Sequence, residues 1–314
     1  MNSNWKECRL GNVAEVQTGP FGSQLHQSDY KAIGTPIITV EHLGDNRIMD
    51  SNLPLVGDED KERLKKYTLK KGDVVFSRVG SVDRCAFVHE KQDGWMFSGR
   101  LLRVRAKENA VNSRFLSFYF CQESFKDTIR MIAVGATMPS INTEILSNVE
   151  ILLPPLPEQR AIAGVLSSLD DKIDLLHRQN KTLEGMAAAL WRKMFVEEAD
   201  PGWKKGRLGD LVELCYGKGL KEEKRIPGKY PVYGSNAVVG YHNEFLVEGP
   251  GIVIGRKGTL GVVNYVEENF FPIDTTYFIK SKTNSGRLFF EYFLLKEISF
   301  EEVLEYIKSL LNKN

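Results

Sequence analysis

Apolar residues along this chain follow two rhythms. From Leu166 to Met194 they recur three and four apart without a slip, through Leu166, Leu169, Ile173, Leu176, Asn180, Leu183, Ala187, Leu190 and Met194, with Asn180 as the one polar member. This is a heptad seam, and it predicts one long helix of the coiled-coil kind. Pro157 suits a first helical position, because its missing N–H would lack a partner there anyway, and Glu158 complements the positive end of the helix dipole. Nothing breaks the pattern before Asp200-Pro201-Gly202, so at about 1.5 Å per residue the helix should reach roughly 60 Å, against ~30 Å for a small domain. One compact neighbour cannot bury such a helix. The seam therefore predicts a spacer whose apolar stripe another helix covers. Asn180 reads either as a register-fixing residue or as one tolerated polar position.

On either side of the helix the rhythm shortens to β-branched runs between glycine turns. Thr35-Pro-Ile-Ile-Thr-Val, Asp73-Val-Val-Phe and Leu101-Leu-Arg-Val-Arg predict strands before it. Gly251-Ile-Val-Ile, Gly261-Val-Val-Asn and Tyr277-Phe-Ile predict strands after it. Helical pattern follows over Ser113 to Ile132 and over Gly286 to Lys296. Phe115, Phe118, Tyr119 and Phe120 read as core rather than as a base-stacking platform. The two flanks also echo each other. Trp5-Lys-Glu-Cys-Arg-Leu-Gly-Asn-Val-Ala-Glu-Val returns as Trp203-Lys-Lys-Gly-Arg-Leu-Gly-Asp-Leu-Val-Glu-Leu. Gly72-Asp-Val-Val-Phe-Ser-Arg78-Val-Gly80-Ser81 returns as Gly251-Ile-Val-Ile-Gly-Arg256-Lys-Gly258-Thr259, and the segment from Asn112 returns from Asn284. Order is kept through all three blocks, so the chain reads as a duplication. The expected fold class is α+β, with two similar mixed α/β domains joined by one long coiled-coil-forming helix. The expected boundaries are 1–153, 154–200 and 201–314.

The central segment carries a resemblance. Gly135-Ala-Thr-Met-Pro-Ser-Ile-Asn, Ile151-Leu-Leu-Pro-Pro-Leu-Pro-Glu-Gln-Arg-Ala-Ile-Ala and Leu166-Ser-Ser-Leu-Asp-Asp-Lys-Ile together resemble the central conserved region of type I restriction–modification specificity subunits. The openings of the two repeats, Leu10-Gly11 to Gly19-Pro-Phe-Gly-Ser23 and Leu208-Gly209 to Tyr216-Gly217, resemble the starts of that family's two target-recognition domains. The likeness extends over essentially the whole chain. One departure stands out: the family pattern has a second conserved helix, pairing antiparallel with the first, after the second recognition domain. Here no second Pro-Pro-Leu-x-Glu-Gln block occurs. The segment Glu297 to Asn314, with Phe300, Val303, Leu304, Ile307, Leu310 and Leu311 at helical spacing, reads as a short amphipathic helix, either on its own domain or over part of the seam.

Composition adds limits. A chain of 314 residues with 42% hydrophobic content supports two cored domains. No run approaches the ~18 apolar residues of a membrane span, and the start lacks an apolar signal core, which predicts a cytoplasmic chain. Cys8, Cys85, Cys121 and Cys215 are scattered and read as reduced thiols, and the five histidines form no metal-ligand spacing.

A net charge of +1 is mild for a nucleic-acid binder, yet backbone contact needs only a local cationic face. Lys61 to Lys71 is basic but interleaved with acids, and reads as a solvated face or a DNA face. Arg100, Arg103, Arg105 and Lys107 form a second cluster. The better candidate is Lys218, Lys221, Lys224, Arg225 and Lys229, beside Gly217 and Gly219, which permit close backbone approach. Arg78 and Arg256 hold equivalent positions, each after a strand and before a glycine. Arginine can read guanine by two hydrogen bonds, but residues shared by two domains that read different half-sites fit a turn-holding or phosphate role better. Ser23 and Gln24, in the opening of the first repeat, complete the candidate DNA-binding set.

Catalytic signatures are missing. The sequence has no Gly-x-x-x-x-Gly-Lys-Ser/Thr loop and no Gly-x-Gly-x-x-Gly turn after a strand. Its double proline lies between Leu153 and Leu156, where an adenine amino-methyltransferase would carry Asn or Asp before the pair and an aromatic after it. The expectation is a non-catalytic DNA-recognition subunit that binds no cofactor itself. The resemblance implies duplex DNA as ligand, modification subunits carrying S-adenosylmethionine docked on the helical region, and restriction subunits joining them. Self-association through the central helix is the other way to cover the seam. Two readings compete: a coiled-coil adaptor joining two domains that do not bind DNA, and a self-contained methyltransferase or nuclease, which the missing motifs argue against.

Overall fold

The computed structural model describes residues 4–20, 22, 24–204, 206–258, 261–282 and 286–298. The chain divides into two compact units, Met1–His177 and Arg178–Asn314. The first runs β1 (Lys6–Arg9), α1 (Leu10–Val13), β2 (Ala14–Thr18), β3 (Tyr30–Lys31), β4 (Thr35–Ile38), β5 (Leu55–Val56) and α2 (Asp58–Arg63). It continues through β6 (Val74–Ser77), β7 (Cys85–Phe87), β8 (Met96–Phe97), β9 (Leu101–Ala106), α3 (Ser113–Phe120), α4 (Glu123–Ile132), α5 (Thr143–Ser147) and β10 (Glu150–Leu153). Helix α6 (Leu156–Arg192) follows, and the division between the units falls within it.

The main sheet of the first unit has the order β2-β9-β6-β7, antiparallel throughout. Strands β6 and β7 are buried along their whole length, because both faces of the sheet are covered there. Val74, Phe76, Leu102 and Val104 pack with Phe115, Leu116 and Phe120 of α3 and with Phe125 and Ile129 of α4. The alternate residues Val75, Ala86 and Leu101 join Ile37, Ile38, Met96 and Phe97 on the other side. A smaller sheet, β3-β5-β4-β8, contains the parallel pair β4–β8. Strand β1 pairs with β10, tying the start of the chain to the residues that lead into α6.

The helical pattern expected over 113–132 is two helices. Gln122 is extended at φ −65° and ψ 137°, and the break turns α4 so that Phe125 meets Phe120 at 4.8 Å between ring centroids. Phe120 in turn meets Phe76 at 4.8 Å. Burying three rings costs the unbroken helix. The central helix begins at Leu156, one residue before Pro157, and its α-helical part ends at Arg192 in a wider π turn over Lys193–Glu197. Its seam lies open: Leu169 is 57% exposed and Leu183 is 61% exposed, and Leu166, Ile173, Leu176, Leu190, Met194 and Asn180 are exposed as well.

The second unit contains α7 (Leu208–Leu211), β11 (Val212–Tyr216), β12 (Tyr230–Tyr233), β13 (Val238–His242), β14 (Gly251–Gly255), β15 (Val263–Val266), β16 (Phe271–Pro272), β17 (Thr276–Ser281) and α8 (Phe289–Glu297). Its sheet β11-β17-β14-β15 is antiparallel and repeats β2-β9-β6-β7 strand for strand. Its second sheet, β13-β12-β16, repeats the parallel pairing in β12–β16. The duplication read from the sequence is therefore a duplication of topology. The expected helix over 297–314 lies outside the described residues beyond Ile298, as do Thr259 and the Asn284 of the third echo. Among the described residues, no helix is long and apolar enough to cross a membrane, and no group of three or more potential ligands could hold a metal ion. All four cysteines are free thiols.

Candidate nucleic-acid interface

The two sheets can be aligned residue by residue from their hydrogen bonds. Gly19 N–H donates to the Leu101 carbonyl and Gly217 N–H donates to the Thr276 carbonyl. Arg78 N–H donates to the Arg100 carbonyl, and Arg256 N–H to the Thr275 carbonyl, each at 2.9 Å. Thr18 pairs with Leu102 in one sheet and Tyr216 with Tyr277 in the other. At each glycine a Cβ would collide with the facing backbone, at the Ser98 carbonyl for Gly19 and at the Ile273 carbonyl for Gly217. The strand end must approach the turn that closely, so only glycine fits.

Within this shared frame the two arginines make the same bond. Arg78 Nη1 donates to the Gly99 carbonyl at 3.2 Å and lies 3.5 Å from Thr18 Oγ1. Arg256 Nη2 donates to the Asp274 carbonyl, at the equivalent position, at 2.7 Å. Both are half-buried. Their surroundings differ. The Arg256 guanidinium lies 5.3 Å from the Tyr216 ring centroid and 5.8 Å from that of Tyr277, and the two rings are 5.1 Å apart. Burial, followed by the Tyr216 hydroxyl, pushes the Tyr277 phenol up.

Of the basic stretch after Gly217, Lys218, Lys221, Lys224 and Lys229 are exposed, whereas Arg225 is half-buried and donates to the Val239 carbonyl at 2.6 Å. Gln24 is half-buried and accepts from the Tyr67 hydroxyl at 2.9 Å. Ser23 lies outside the described residues. The first-unit clusters are more occupied than their sequence suggests. Arg63 pairs with Asp60 and Lys65 with Glu62, and Lys71 pairs with Glu90. Arg103 and Arg105 are not a cationic face, which corrects the reading of 100–107 as one. Arg103 is buried and donates to the Lys66 and Thr68 carbonyls and to Glu15. Burial lowers its pKa. Arg105 grips the buried Asp73 with two nitrogens, each at 2.7 Å, a bond that raises its own pKa.

The Pro-Leu-Pro-Glu-Gln motif around Pro157 has a structural task that its composition does not disclose. Gln159 is 2% exposed; its Oε1 accepts from Asn112 N–H at 2.8 Å and its Nε2 donates to the Pro154 carbonyl at 2.8 Å. Asn112 is itself the cap of α3, accepting from Phe115 N–H. Glu158 accepts from the Trp5 indole at 3.2 Å. One turn of helix thus ties the start of the chain, α3 and the residues before α6 together. Further along α6, Asp170 takes Arg114 at 2.8 Å and Arg47 at 3.7 Å, and Arg47 also bonds Asp174. Arg114 stacks between the Phe87 and Phe118 rings, 4.5 and 4.6 Å away. Sequence reasoning missed Arg47 and Arg114, and no local signal pointed to them, since they lie 127 and 56 positions from the aspartates they bond. In the second unit Glu184 bonds both the Tyr292 hydroxyl and Lys296, at 2.5 Å each, and Lys296 holds the carboxyl below its usual range. Beside them, Leu190, Trp191, Met194, Phe195, Phe289 and Phe290 line an apolar groove of about 610 Å³.

A family model described as the type I restriction modification DNA specificity domain matches residues 2–185 and again 201–313. The putative type I restriction enzyme MjaX specificity subunit of Methanocaldococcus jannaschii is 30% identical over 218 residues, which cover 67% of this chain and 50% of that protein. The type I restriction enzyme HindI specificity subunit of Haemophilus influenzae is 27% identical over 235 residues, covering 73% and 49%. The chain spans about half the length of the curated relatives it matches. A crystal structure of the type I restriction–modification S subunit from M. genitalium shares the fold, with a TM-score of 0.60 at 20% identity over 98% of this chain and 81% of that one.

Proposed function

Because this chain belongs to the type I restriction–modification DNA specificity family, we propose that it supplies the address for a DNA-modifying complex and leaves the chemistry to other subunits. Each unit reads one half of a split, asymmetric duplex target, and α6 sets the gap between the halves. Modification subunits carrying S-adenosylmethionine dock on the helical region and methylate adenines at the address, and restriction subunits join the same assembly. The observation that carries this reading is the duplicated sheet with its arginine-clamped turn. One chain holding the same frame twice is suited to grip two sites of one kind of ligand, and an asymmetric target needs the two frames to differ in their exposed residues. Lys218, Lys221 and Lys224, with Arg225, are assigned to the DNA face of the second unit. Arg78 and Arg256, tied to equivalent carbonyls, each brace the turn of their own unit, and Gln24 is assigned to the DNA face of the first unit.

The test is an exchange of residues 203–296 for the equivalent segment of a relative, read by methylation-sensitive sequencing of DNA from cells that also express the modification subunit. One half of the modified motif should change and the other should stay. Simultaneous change of both halves would refute independent reading. A chain that directs modification to no motif, even with its partner present, would return the adaptor reading.

The open seam makes a second expectation. Each leucine-sized side chain gains about 1.5–3 kcal/mol on full burial, so the row from Leu166 to Met194 favours a covering helix from a second copy or from a modification subunit. The purified chain should sediment at micromolar concentration as more than a monomer, and the double substitution Leu169→Ser with Leu183→Ser should return it to a monomer. A stable monomer before substitution would count against self-association.

A further inference from the structure

The two frames share their glycines, their arginines and their hydrogen bonds, so whatever distinguishes the units as readers must lie where the frames differ. Aligned through those bonds, the second unit has Tyr216, Lys218 and Asp274 where the first has Thr18, Pro20 and Gly99. All three second-unit residues are exposed, Tyr216 by 53%, and they surround one turn. Lys218 N–H is bonded to the Pro272 carbonyl, the Asp274 carbonyl holds Arg256, and Tyr216 packs over that same guanidinium. Gly219 backs onto the Asp274 carboxyl carbon, 4.0 Å from where a Cβ would sit. The edge therefore offers a donor, an acceptor and an aromatic face on a braced backbone. The equivalent edge of the first unit offers a half-buried hydroxyl, a proline and a glycine.

A purely phosphate-gripping edge would not carry an exposed carboxylate, because Asp274 would repel the backbone. An edge that reads a base pair needs such an acceptor. In the major groove guanine presents the acceptors O6 and N7, and its cytosine partner presents an N4 amino donor. We propose that Tyr216, Lys218 and Asp274 are specificity-determining residues of the second unit and that they read a G·C pair of its half-site. Lys218 donates to guanine, Asp274 accepts from the cytosine amine, and the open face of Tyr216 covers the neighbouring base edge. This rests on the DNA-recognition reading above. Arg256 is a positioning residue here: its Nη2 donates to the Asp274 carbonyl and so holds the backbone from which the aspartate projects.

The experiment is methylation-sensitive sequencing in cells expressing the full chain with its modification subunit, for the unaltered chain and for Lys218→Gln, Asp274→Asn and Tyr216→Thr. Lys218→Gln and Asp274→Asn should each relax the preference for G·C at one and the same motif position, by about tenfold, and Tyr216→Thr should relax the position beside it. The other half of the motif should be untouched. Lys218 and Asp274 are exposed and Asn keeps the backbone carbonyl that Arg256 needs, so these two variants keep the fold. An unchanged motif, or modification falling evenly at every target, would overturn the assignment. If the unaltered chain directs modification to no motif at all, the failure is that of the DNA-recognition reading itself, a result separable from the variant data.

Discussion

Two residues inserted after Gln179 should abolish modification at the native target or move it to targets with a different gap. At ~3.6 residues per turn, two extra residues change the phase at which the chain leaves α6 by about 200° and lengthen the helix by about 3 Å. Gln179 is exposed on that helix, among residues without apolar burial, so the insertion leaves the cores of both units alone. The loss should therefore appear in target choice and not in folding. An insertion of seven residues restores nearly the original phase while adding about 10 Å. It should recover modification at targets with a wider gap if helix phase is what the DNA senses. Methylation-sensitive sequencing of the two insertions decides the matter, and an unaltered motif with an unaltered gap in the two-residue case would remove the spacer role.

Asp73→Ala should unfold the first unit more readily than any substitution on its surface. Asp73 is 1% exposed and accepts from Lys70 N–H and from two nitrogens of Arg105, all at 2.7 Å. Arg105 and Arg103 also donate to the Thr68 carbonyl, so the carboxylate anchors the whole turn from Lys66 to Asp73 across β9. Removing the buried carboxylate leaves the Lys70 N–H and the Arg105 guanidinium without their acceptor, and because the Arg105 side chain is 27% exposed and water can partly replace it, the cost is about 1–3 kcal/mol. Against a total of about 5–15 kcal/mol this is a large share. Urea unfolding followed by tryptophan fluorescence measures it. A loss below about 1 kcal/mol would mean that water replaces the carboxylate at Arg105 and that the pair does not hold the turn.

The gap between these effects and what the sequence displayed has a physical cause. The central helix, its heptad seam, the strands β4, β6, β9, β14, β15 and β17, and the duplication were legible, because each rests on periodicity or on repetition, and both are local properties of the chain. Hydrophobic residues three and four apart must share a helix face wherever the helix lies.

The fate of the charges was not legible. In Leu101-Leu-Arg-Val-Arg, alternation alone puts Arg103 and Arg105 on the face opposite Leu102 and Val104, and a basic face was the natural reading. Whether that face meets water or protein depends on where the residues from Leu64 to Asp73 fold back, more than thirty positions away, and that is a tertiary fact. The same holds for Gln159, which looks like any polar residue in a first helical turn and proves to be the clasp between Asn112 and Pro154. It holds again for Arg78 and Arg256, whose shared position was visible but whose shared bond, to the Gly99 and Asp274 carbonyls, required the turns to be brought to them. Local pattern determined which elements form and that they form twice. Only the packing of distant segments decided which charges are framework and which face outward, because burial of a charge depends on its partners and not on its own place in the chain.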